Sequence, residues 1–438
     1  MRIERLRLKN FRCYDALNID FDPRLTVIVG ENGKGKTAIF DALAIALEPY
    51  LRSFGTCGRQ LSPKDVRRVP LYKKDRRHID GMTCHYPAEI TLEGEAYGKK
   101  LSCTRRLLEG DVAVDESEEL CAYGRRLARA AAENIKELLP VLAYYGTQRI
   151  WVDSHLLTHF DKPLTQRSVG YEECLEPSSS YNTFGKWFEY VTKSAQTEQQ
   201  YSAEVKRNLL LKNAIQKAVD TCLESTGLQD LYYNYRLKCF VVSHPDMGEM
   251  IVDDLSDGFR SIISMVADLA YRMVRLNPQL GVDATLKTPG LVLIDEVDMH
   301  LHPLWQQTVL VDLQKAFPKA QFVVTTHSPQ VLSSAPAESI RVLMWGKQFE
   351  GVRHVDFSLG ANSNQLLQDI QNVSPRPQSL PIVQDLKHYL ELVSEDRWDS
   401  EEALALRKKL DAWSHGREPA LLRADMDIRL RQFRRRRS

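Results

Sequence analysis

Leu25-Thr-Val-Ile-Val29, followed by Gly30-Glu-Asn-Gly-Lys-Gly-Lys-Thr37, is the stretch of sequence that decides the fold. The first five residues form a short apolar run of the kind found in a strand buried within a parallel sheet. After Thr37, residues 38–47 carry apolar side chains at three- and four-residue spacing, which predicts a helix. The glycine-rich segment therefore connects a buried strand to a helix.

This connection matches the pattern GxxxxGK[ST], and its place between a strand and a helix is the context in which the pattern binds phosphate. Glycines let successive backbone N–H groups face inward, and the helix N-terminus adds positive potential. We predict that Lys36 bridges the β and γ phosphates of ATP during catalysis, and that the hydroxyl of Thr37 binds Mg²⁺. The residues predicted to bind the nucleotide here are Asn32, Gly33, Lys34, Gly35, Lys36, Thr37 and Ala38.

A second apolar run, Leu291-Val-Leu-Ile-Asp-Glu296, ends in two carboxylates. A buried parallel strand delivers such side chains at its C-terminal end, where open α/β sheets bind ligands. We predict that Asp295 holds the magnesium ion and that Glu296 orients and deprotonates the attacking water. On their own, two acids after a strand are as often a solvated strand end, but the phosphate-binding pattern favours the functional interpretation.

A third buried strand, Gln321-Phe-Val-Val-Thr-Thr-His327, ends in a histidine. A lone histidine at this place is more often a hydrogen-bonded core residue than a ligand contact. Because it follows the strand that carries the carboxylates, we predict that His327 senses the γ-phosphate and takes part in catalysis. Asp298 and His302 lie on the loop after the acidic pair, from which they could reach across a subunit interface.

The segment Leu255-Ser-Asp-Gly-Phe-Arg260 precedes a run with helical periodicity, which places Ser256 and Gly258 at a helix N-terminus. Such an end favours an anion. Serine or aspartate before a helix is most often an ordinary cap, so this segment gains meaning only beside the other three. We therefore predict that Ser256 and Gly258 bind the nucleotide.

The composition is that of an ordinary globular protein, with 43% hydrophobic and 27% charged residues among 438. These values exclude wholesale disorder, a collagen-like chain and a disulfide-built miniprotein. The formal net charge of +1 means that affinity for nucleic acid must come from local patches. The eight cysteines include no CxxC pair, and no apolar run suits a signal peptide or a membrane span, so we expect a cytoplasmic protein without membrane contact.

The quoted segments resemble the Walker A, signature, Walker B, D-loop and switch histidine of ABC-type ATPases in the RecF, SMC and overcoming-lysogenization class. Residues 8–21, LKNFRCYDALNIDF, are similar to the opening strand pair of that class. The resemblance implies an α/β fold: a P-loop NTPase head of mixed sheet and flanking helices, with a largely helical insertion and a helical C-terminal tail. The implied domains are the first part of the head at 1–50, a strand extension and mainly helical insertion at 51–250, the second part of the head at 251–346, and a helical region with a basic tail at 347–438.

In that class the signature segment of one subunit closes over ATP held by the other, so the resemblance implies a head-to-tail dimer or higher oligomer. It also implies that Gln148 acts as the loop glutamine that couples the nucleotide to the insertion. Within the insertion, helical patterns occur near 116–139 and 186–226, and strand patterns near 86–108, 141–145 and 231–243.

A narrower resemblance rests on residues 143–149 (AYYGTQR), 170–177 (GYEECLEP), 360–364 (GANSN) and 374–377 (SPRP). These segments are similar to those of PtuA-like ATPases of bacterial Septu and retron-linked anti-phage systems. The resemblance implies a partner HNH nuclease resembling PtuB, and makes a retron reverse transcriptase with its RNA and DNA a further candidate partner. The C-terminal helices are the candidate dock, because no ATPase element needs them.

Two other interpretations stay open. A RecF-type DNA-binding repair or recombination ATPase is suggested by basic residues within 52–77 and by the arginine tail at 429–437, although such runs are usually solvated surface. A non-enzymatic scaffold could use the nucleotide only to hold its structure. The sequence has no HNH pattern and no second cluster of acids, so we expect any nuclease site to lie on another chain.

Overall fold

The structure is a computed structural model. It describes residues 1–72, 79–133, 136–147, 166–177, 182–195, 203–345 and 350–435. The strands in these ranges are β1 (Arg2–Phe11), β2 (Tyr14–Asp20), β3 (Leu25–Val29), β4 (Arg67–Tyr72), β5 (Ile79–His85), β6 (Ala88–Ala96), β7 (Lys99–Leu108), β8 (Val112–Glu116), β9 (Val141–Tyr145), β10 (Gln229–Asn234), β11 (Cys239–His244), β12 (Gly248–Ile251), β13 (Gly290–Ile294), β14 (Ala320–Thr325), β15 (Ile340–Trp345) and β16 (Glu350–Arg353). The α-helices are α1 (Lys36–Arg52), α2 (Glu118–Ala132), α3 (Asn182–Ser194), α4 (Ala203–Leu223), α5 (Asp257–Leu276), α6 (Ala284–Lys287), α7 (Pro303–Gln306), α8 (Val309–Ala316), α9 (Pro329–Leu332), α10 (Ser363–Asp369), α11 (Pro381–Ser394), α12 (Glu401–Ser414) and α13 (Pro419–Arg435).

A six-stranded sheet with the order β16-β15-β3-β14-β13-β9 forms the centre of the head. All neighbouring pairs are parallel except β15 and β16. Every residue of β3, β9, β13 and β14 is buried, which explains why these strands show no alternation of apolar and polar residues. The predicted mixed-sheet P-loop head is confirmed.

Two long helices flank this sheet. In α1 all but two residues are buried, and α5 is buried from Ser261 to its last residue. Tyr145, at the end of β9, donates a hydrogen bond to Asp268 of α5, and Asp268 also pairs with Arg272. The buried Asp268 carboxylate is thus satisfied by Tyr145 and Arg272, as burial of a charge requires.

The sheet β2-β1-β6-β7-β8 is antiparallel and lies beside the central sheet. The burial pattern of β1 and β6 alternates, with charged side chains such as Arg5 and Asp20 paired on the open face. The strand β9 lies within residues 51–250, yet it forms the edge of the central sheet. The rest of that stretch supplies β4 to β8, β10 to β12 and the helices α2 to α4.

A single strand over 231–243 was expected from the sequence, and this expectation is wrong. The chain turns between β10 and β11, because the side-chain oxygen of Asn234 accepts hydrogen bonds from the backbone of Arg236 and Leu237, each at 3.1 Å. Lys238 completes the turn with a φ of 54°. The two strands pair antiparallel, and β12 extends them to a three-stranded sheet.

The chain divides into a larger unit, Met1–Leu366, and a smaller one, Leu367–Ser438. The smaller unit has its own core, in which α11, α12 and α13 bury Leu386, Tyr389, Leu410 and Leu421. Arg376 binds Glu418 through two side-chain hydrogen bonds of 3.0 and 2.7 Å, which closes the unit at its start. No helix in the described ranges combines the length and apolar character that crossing a membrane requires.

Candidate nucleotide-binding site

Three neighbouring strands of the central sheet end at the same edge. The glycine-rich loop follows β3, the histidine segment follows β14, and the acidic pair follows β13, and these strands lie side by side in that order. Because the three strands are parallel, their carboxyl ends meet where open α/β sheets bind ligands. The order of strands thus brings together the segments that the sequence holds far apart.

The phosphate loop has the backbone that its glycines permit. Gly33 and Gly35 have φ values of 79° and 81°, in the left-handed region. A Cβ on Gly35 would lie 2.5 Å from Sγ of Cys13 and 2.7 Å from Oη of Tyr14, so only glycine fits beside the β1–β2 turn. The hydroxyl of Tyr14 donates to the carbonyl oxygen of Lys34 at 2.9 Å, so this turn braces the loop.

Lys36 reaches back across the loop. Its Nζ donates to the carbonyl oxygens of Gly30 at 2.8 Å and Glu31 at 3.2 Å. Burial lowers the pKa of Lys36, and the nearby carboxylates of Asp295 and Glu296 oppose that shift. A desolvated ammonium group held within a loop of inward N–H groups is well placed to bind a polyphosphate.

The Asp295 carboxylate is held from both sides. The Thr37 hydroxyl donates to its Oδ2 at 2.7 Å, and the Thr325 hydroxyl donates to its Oδ1 at 2.5 Å. Its backbone N–H donates to the carbonyl oxygen of Tyr145 at 2.8 Å, which fixes the end of β13 against β9. The two predicted metal ligands, Thr37 and Asp295, are therefore in direct contact.

Glu296 lies next along the chain and is half-buried, with a φ of 49°. Its backbone N–H donates to Oγ1 of Thr325 at 2.7 Å, and the N–H of Val297 donates to the carbonyl oxygen of the same threonine at 2.9 Å. These bonds hold the backbone in the sharp turn that separates Glu296 from the buried Asp295. A partly exposed carboxylate beside the phosphate loop suits a general base.

His327 is half-buried at the end of β14. Burial lowers its pKa below the ordinary value of 6.5, and the charge of Lys36 lowers it further. The imidazole is therefore neutral at pH 7 and can donate one N–H. The neighbouring Thr326 donates to Asp298 at 2.6 Å, and Ser328 donates to Gln306 at 2.7 Å, which ties the histidine segment to the loop after β13.

Ser256 is the N-cap residue of the twenty-residue helix α5 and is exposed. Its side chain makes no capping hydrogen bond, so it does not serve as the ordinary cap. Gly258 is buried, and a Cβ there would lie 2.3 Å from the carbonyl oxygen of His300. The helix start therefore lies directly against the loop that carries Asp298 and His302.

The structure brings Lys36, Thr37, Asp295 and His327 to one edge, and the rest of the predicted loop follows β3 directly. His302 caps the short helix α7 by accepting from the N–H of Leu304 at 3.3 Å. Gln148 lies outside the described residues. Two site residues were missed from the sequence, Tyr14 and Thr325; a threonine that closes a buried strand opposite the acidic pair was the available signal for the second.

The donor set fits magnesium and a triphosphate. Proteins hold Mg²⁺ on phosphates with only a few hard oxygen ligands. Here one hydroxyl and one carboxylate are in contact, and they lie beside the lysine and the backbone N–H groups of the phosphate loop. Thr37 and Asp295 would hold the ion, and Lys36 with the loop would hold the phosphates. An ion held there would neutralise charge on the phosphate oxygens.

Two family models match the chain. One, described as an AAA domain, covers residues 5–221, and the other, described as an AAA domain of a putative AbiEii toxin of a type IV toxin–antitoxin system, covers residues 193–333. The retron Ec83 probable ATPase of Escherichia coli is 25% identical over 98% of this chain and 87% of its own length. The Septu protein PtuA of Bacillus mycoides is 40% identical over 80% of this chain and 41% of its own length.

Among solved structures, the SMC head domain from Thermotoga maritima matches with a TM-score of 0.44 and 14% identity, over 82% of this chain and all of that one. The sheet order and the site define the class independently: the chain is an ABC-type P-loop ATPase. Over most of its length the chain is similar to an ATPase of a retron and to the Septu protein PtuA.

Proposed function

We propose that this protein binds and hydrolyses MgATP in composite sites of a head-to-tail dimer, and that its nucleotide state controls a partner HNH nuclease in anti-phage defence of the Septu or retron type. The observation that carries the proposal is the contact of Thr37 and Asp295, 2.7 Å apart, between the phosphate loop and the acidic strand end. The contact joins the two halves of a magnesium-triphosphate site.

In the proposed reaction, Lys36 and the loop N–H groups bind the phosphates, and Thr37 and Asp295 hold the ion. Glu296 accepts a proton from the attacking water, a role that requires an ionised and accessible carboxylate. His327 donates its N–H toward the γ-phosphate and thereby distinguishes ATP from ADP. Thr325 acts only through Asp295 and Glu296, so it is a positioning residue.

The exposure and hydrogen bonding of Ser256, in the signature segment, support the proposed dimer. Ser256 is exposed at the start of a long helix and is not used as a cap, so the positive end of α5 has an anion-binding side chain available. Ser256 of one subunit would complete the site formed by Lys36 and Asp295 of the other. Asp298 and His302 lie beside that helix start, where they would meet the partner subunit.

The defence role is supported by the names of the relatives, which are a retron ATPase and a Septu PtuA. We assign cleavage of nucleic acid to a second chain resembling PtuB, because the sequence has no HNH pattern. A retron reverse transcriptase with its RNA and DNA is a further candidate member of the assembly. The three-helix unit formed by α11, α12 and α13 is the proposed dock for a partner.

The RecF-type alternative depends on the basic residues within 52–77 and on the arginine tail at 429–437. Of these, Arg52 pairs with Asp115, Arg67 pairs with Asp15, and Arg59 pairs with Asp41 at 2.7 Å. Paired side chains offer less charge to a phosphate backbone, so these three arginines give the alternative little support. Lys73, Lys74, Arg76 and Arg77 lie outside the described residues.

The test is co-expression with the HNH protein of the same operon, followed by measurement of phage protection and of nuclease activity. Glu296→Gln should keep ATP binding and lower hydrolysis by roughly 10²–10⁴-fold, since it removes only the base. Lys36→Ala should lose ATP binding. Both variants should lose control of the nuclease.

Two outcomes would favour the other interpretations. Unchanged phage protection in both variants would show that ATP chemistry is incidental, as in a scaffold. Salt-sensitive binding of duplex DNA without the nuclease would support the RecF-type alternative.

A further inference from the structure

Helix α13 exposes a narrow apolar stripe, which we call the α13 stripe. Leu422, Met426, Leu430 and Phe433 are all at least half exposed. At 3.6 residues per turn, their spacings of four, four and three residues place them within about 80° of one another around the helix axis. Single exposed apolar residues are normal, but four in one row mark an interaction surface.

The opposite side of α13 already packs within its own unit. Leu421 and Ala424 are buried in the core shared with α11 and α12, and Ile428 packs against it. Arg431 donates to the carbonyl oxygen of Val393 at 3.0 Å. The fold of the unit therefore does not require the α13 stripe. A row with three- and four-residue spacing is the pattern by which one helix packs against another.

Arginine side chains flank the α13 stripe on both sides. Arg429 lies just to one side and Arg423 just to the other, both exposed, and neither forms an ion pair among the described residues. Five arginines against two aspartates give α13 a formal charge of +3. A second copy of the helix on this stripe would bring like charges together, so the charges favour an acidic partner over self-association.

We propose that the α13 stripe binds an amphipathic helix of a partner protein, with an apolar seam flanked by Asp or Glu side chains. The inference rests on the proposed function for the identity of that partner, the HNH nuclease. What the inference adds is the surface on this protein and the chemistry of the helix that it binds. Leu422, Met426, Leu430 and Phe433 contact the apolar seam, and Arg423 and Arg429 pair with its acidic side chains. Charge steers the encounter, and burial of the seam holds the complex.

An anionic membrane is the other surface that a basic amphipathic helix can bind. Interfacial helices lie in the membrane plane and bury a broad apolar face there. The α13 stripe is narrow, and α13 is held in a three-helix unit by its opposite side. The observations therefore favour a helix, and lipid binding is an outcome of the test.

The test uses the full-length protein and three variants. The stripe variant carries Leu422→Ser, Met426→Ser and Leu430→Ser; the charge variant carries Arg423→Glu and Arg429→Glu. The control variant carries Leu237→Ser and Met247→Ser, which change equally exposed apolar residues on turns of the larger unit. The probes are a three-heptad helical peptide with a leucine seam flanked by Glu, the same peptide flanked by Lys, phosphatidylglycerol vesicles and the purified HNH protein.

We expect the Glu-flanked peptide and the HNH protein to bind the wild type and the control, and to bind the stripe and charge variants roughly tenfold more weakly or less. The Lys-flanked peptide should not bind, and the ATPase rate should be the same in all four proteins. The inference is overturned if the Glu-flanked peptide binds none of the proteins or all of them equally, or if only vesicles depend on the stripe. If the HNH protein binds the stripe variant and the wild type with equal affinity, the α13 stripe is not its binding surface, and the proposed function is unaffected. An HNH protein that does not bind even the wild type, beside a positive peptide result, removes the proposed partner and supports the stripe.

Discussion

Single residues decide whether the acidic strand end is a metal ligand or a solvated surface. Asp295 is almost fully buried, and a buried carboxylate is stable only when its oxygens are satisfied. Thr37 and Thr325 satisfy one oxygen each, and Thr325 also accepts from the backbone of Glu296. One threonine therefore positions both the proposed metal ligand, Asp295, and the proposed base, Glu296. This role has no sequence signature apart from its place at the end of a buried strand.

The role of Thr325 can be separated from its contribution to stability. Thr325→Val removes two hydrogen bonds at a buried site, so it should lower the free energy of unfolding by about 1–3 kcal/mol. It should also raise the Mg²⁺ concentration needed for half-maximal ATPase activity, because Asp295 is less well oriented. Titration of the ATPase rate with Mg²⁺ measures this effect.

Thr326→Val is the matched control. The Thr326 hydroxyl also makes two bonds, to Asp298 and from the N–H of Ser328, and neither involves Asp295. We expect similar destabilisation with an unchanged Mg²⁺ requirement. Equal Mg²⁺ requirements in the two variants would show that Thr325 is only structural.

Among the elements, the start of α5 depends on a close contact with the loop after β13. The missing side chain of Gly258 lets the helix lie against the loop at His300 and Leu301. Because the contact is to backbone rather than to the end of a flexible side chain, the loop cannot give way without moving Asp298 and His302 with it. The helix start and the loop therefore behave as one element.

Gly258→Ala tests this packing. Its Cβ would lie 2.3 Å from a carbonyl oxygen, so we expect a loss of about 1–3 kcal/mol in the free energy of unfolding, measured by chemical denaturation. The control is Gly81→Ala, where the nearest atom to the new Cβ is 4.0 Å away. Equal stability of the two variants would contradict the contact.

The junction of α4 and β10 contains a carboxyl group that titrates near neutral pH. Burial raises the pKa of Asp220 to about 6, although its carboxylate accepts from the N–H of Asp230 at 2.8 Å. The pKa in the folded state lies above the ordinary value of 3.8, so the stability that this group contributes is complete below that value and is lost as pH rises through about 6.

Asp220→Asn should therefore stabilise the protein at pH 7.5 by about 1 kcal/mol, after allowance for the partial exposure of the group, and by less at pH 5. Denaturation at both pH values measures the difference. The control is Asp246→Asn, an exposed change on the β11–β12 turn that leaves Asp220 in place. If the stabilisation by Asp220→Asn is the same at pH 5 and pH 7.5, the raised pKa of Asp220 is contradicted.

Some elements of the site could be predicted from the sequence, and others could not. The phosphate loop, β13, β14 and α5 follow from local patterns, and all four are where the patterns place them. The position of β14 between β3 and β13 depends on contacts between distant residues, so no local pattern contains it. The turn at Asn234 was missed because apolar residues continue on both sides of it.

At the scale of the whole molecule, the protein joins an ATPase head to a small three-helix unit with its own core. The head presents the phosphate loop and a helix start at which Ser256 makes no capping hydrogen bond. The small unit presents the α13 stripe. If each binds a partner as we propose, both surfaces are incomplete within one chain, which is the arrangement expected of a protein that works by assembly. Nucleotide can then control the assembly only by binding its states with different affinity.

Mixing two inactive variants tests the composite site most directly. Lys36→Ala removes the phosphate-binding lysine, and Ser256→Arg blocks the helix start that should complete the partner's site. Each variant alone should have almost no ATPase activity. In a head-to-tail dimer formed from both, one site combines the intact loop of one chain with the intact Ser256 of the other. An equal mixture should therefore recover about a quarter of the wild-type rate, because about half of the dimers are mixed and each has one active site. No recovery, with both variants folded and exchanging subunits, would contradict the composite site.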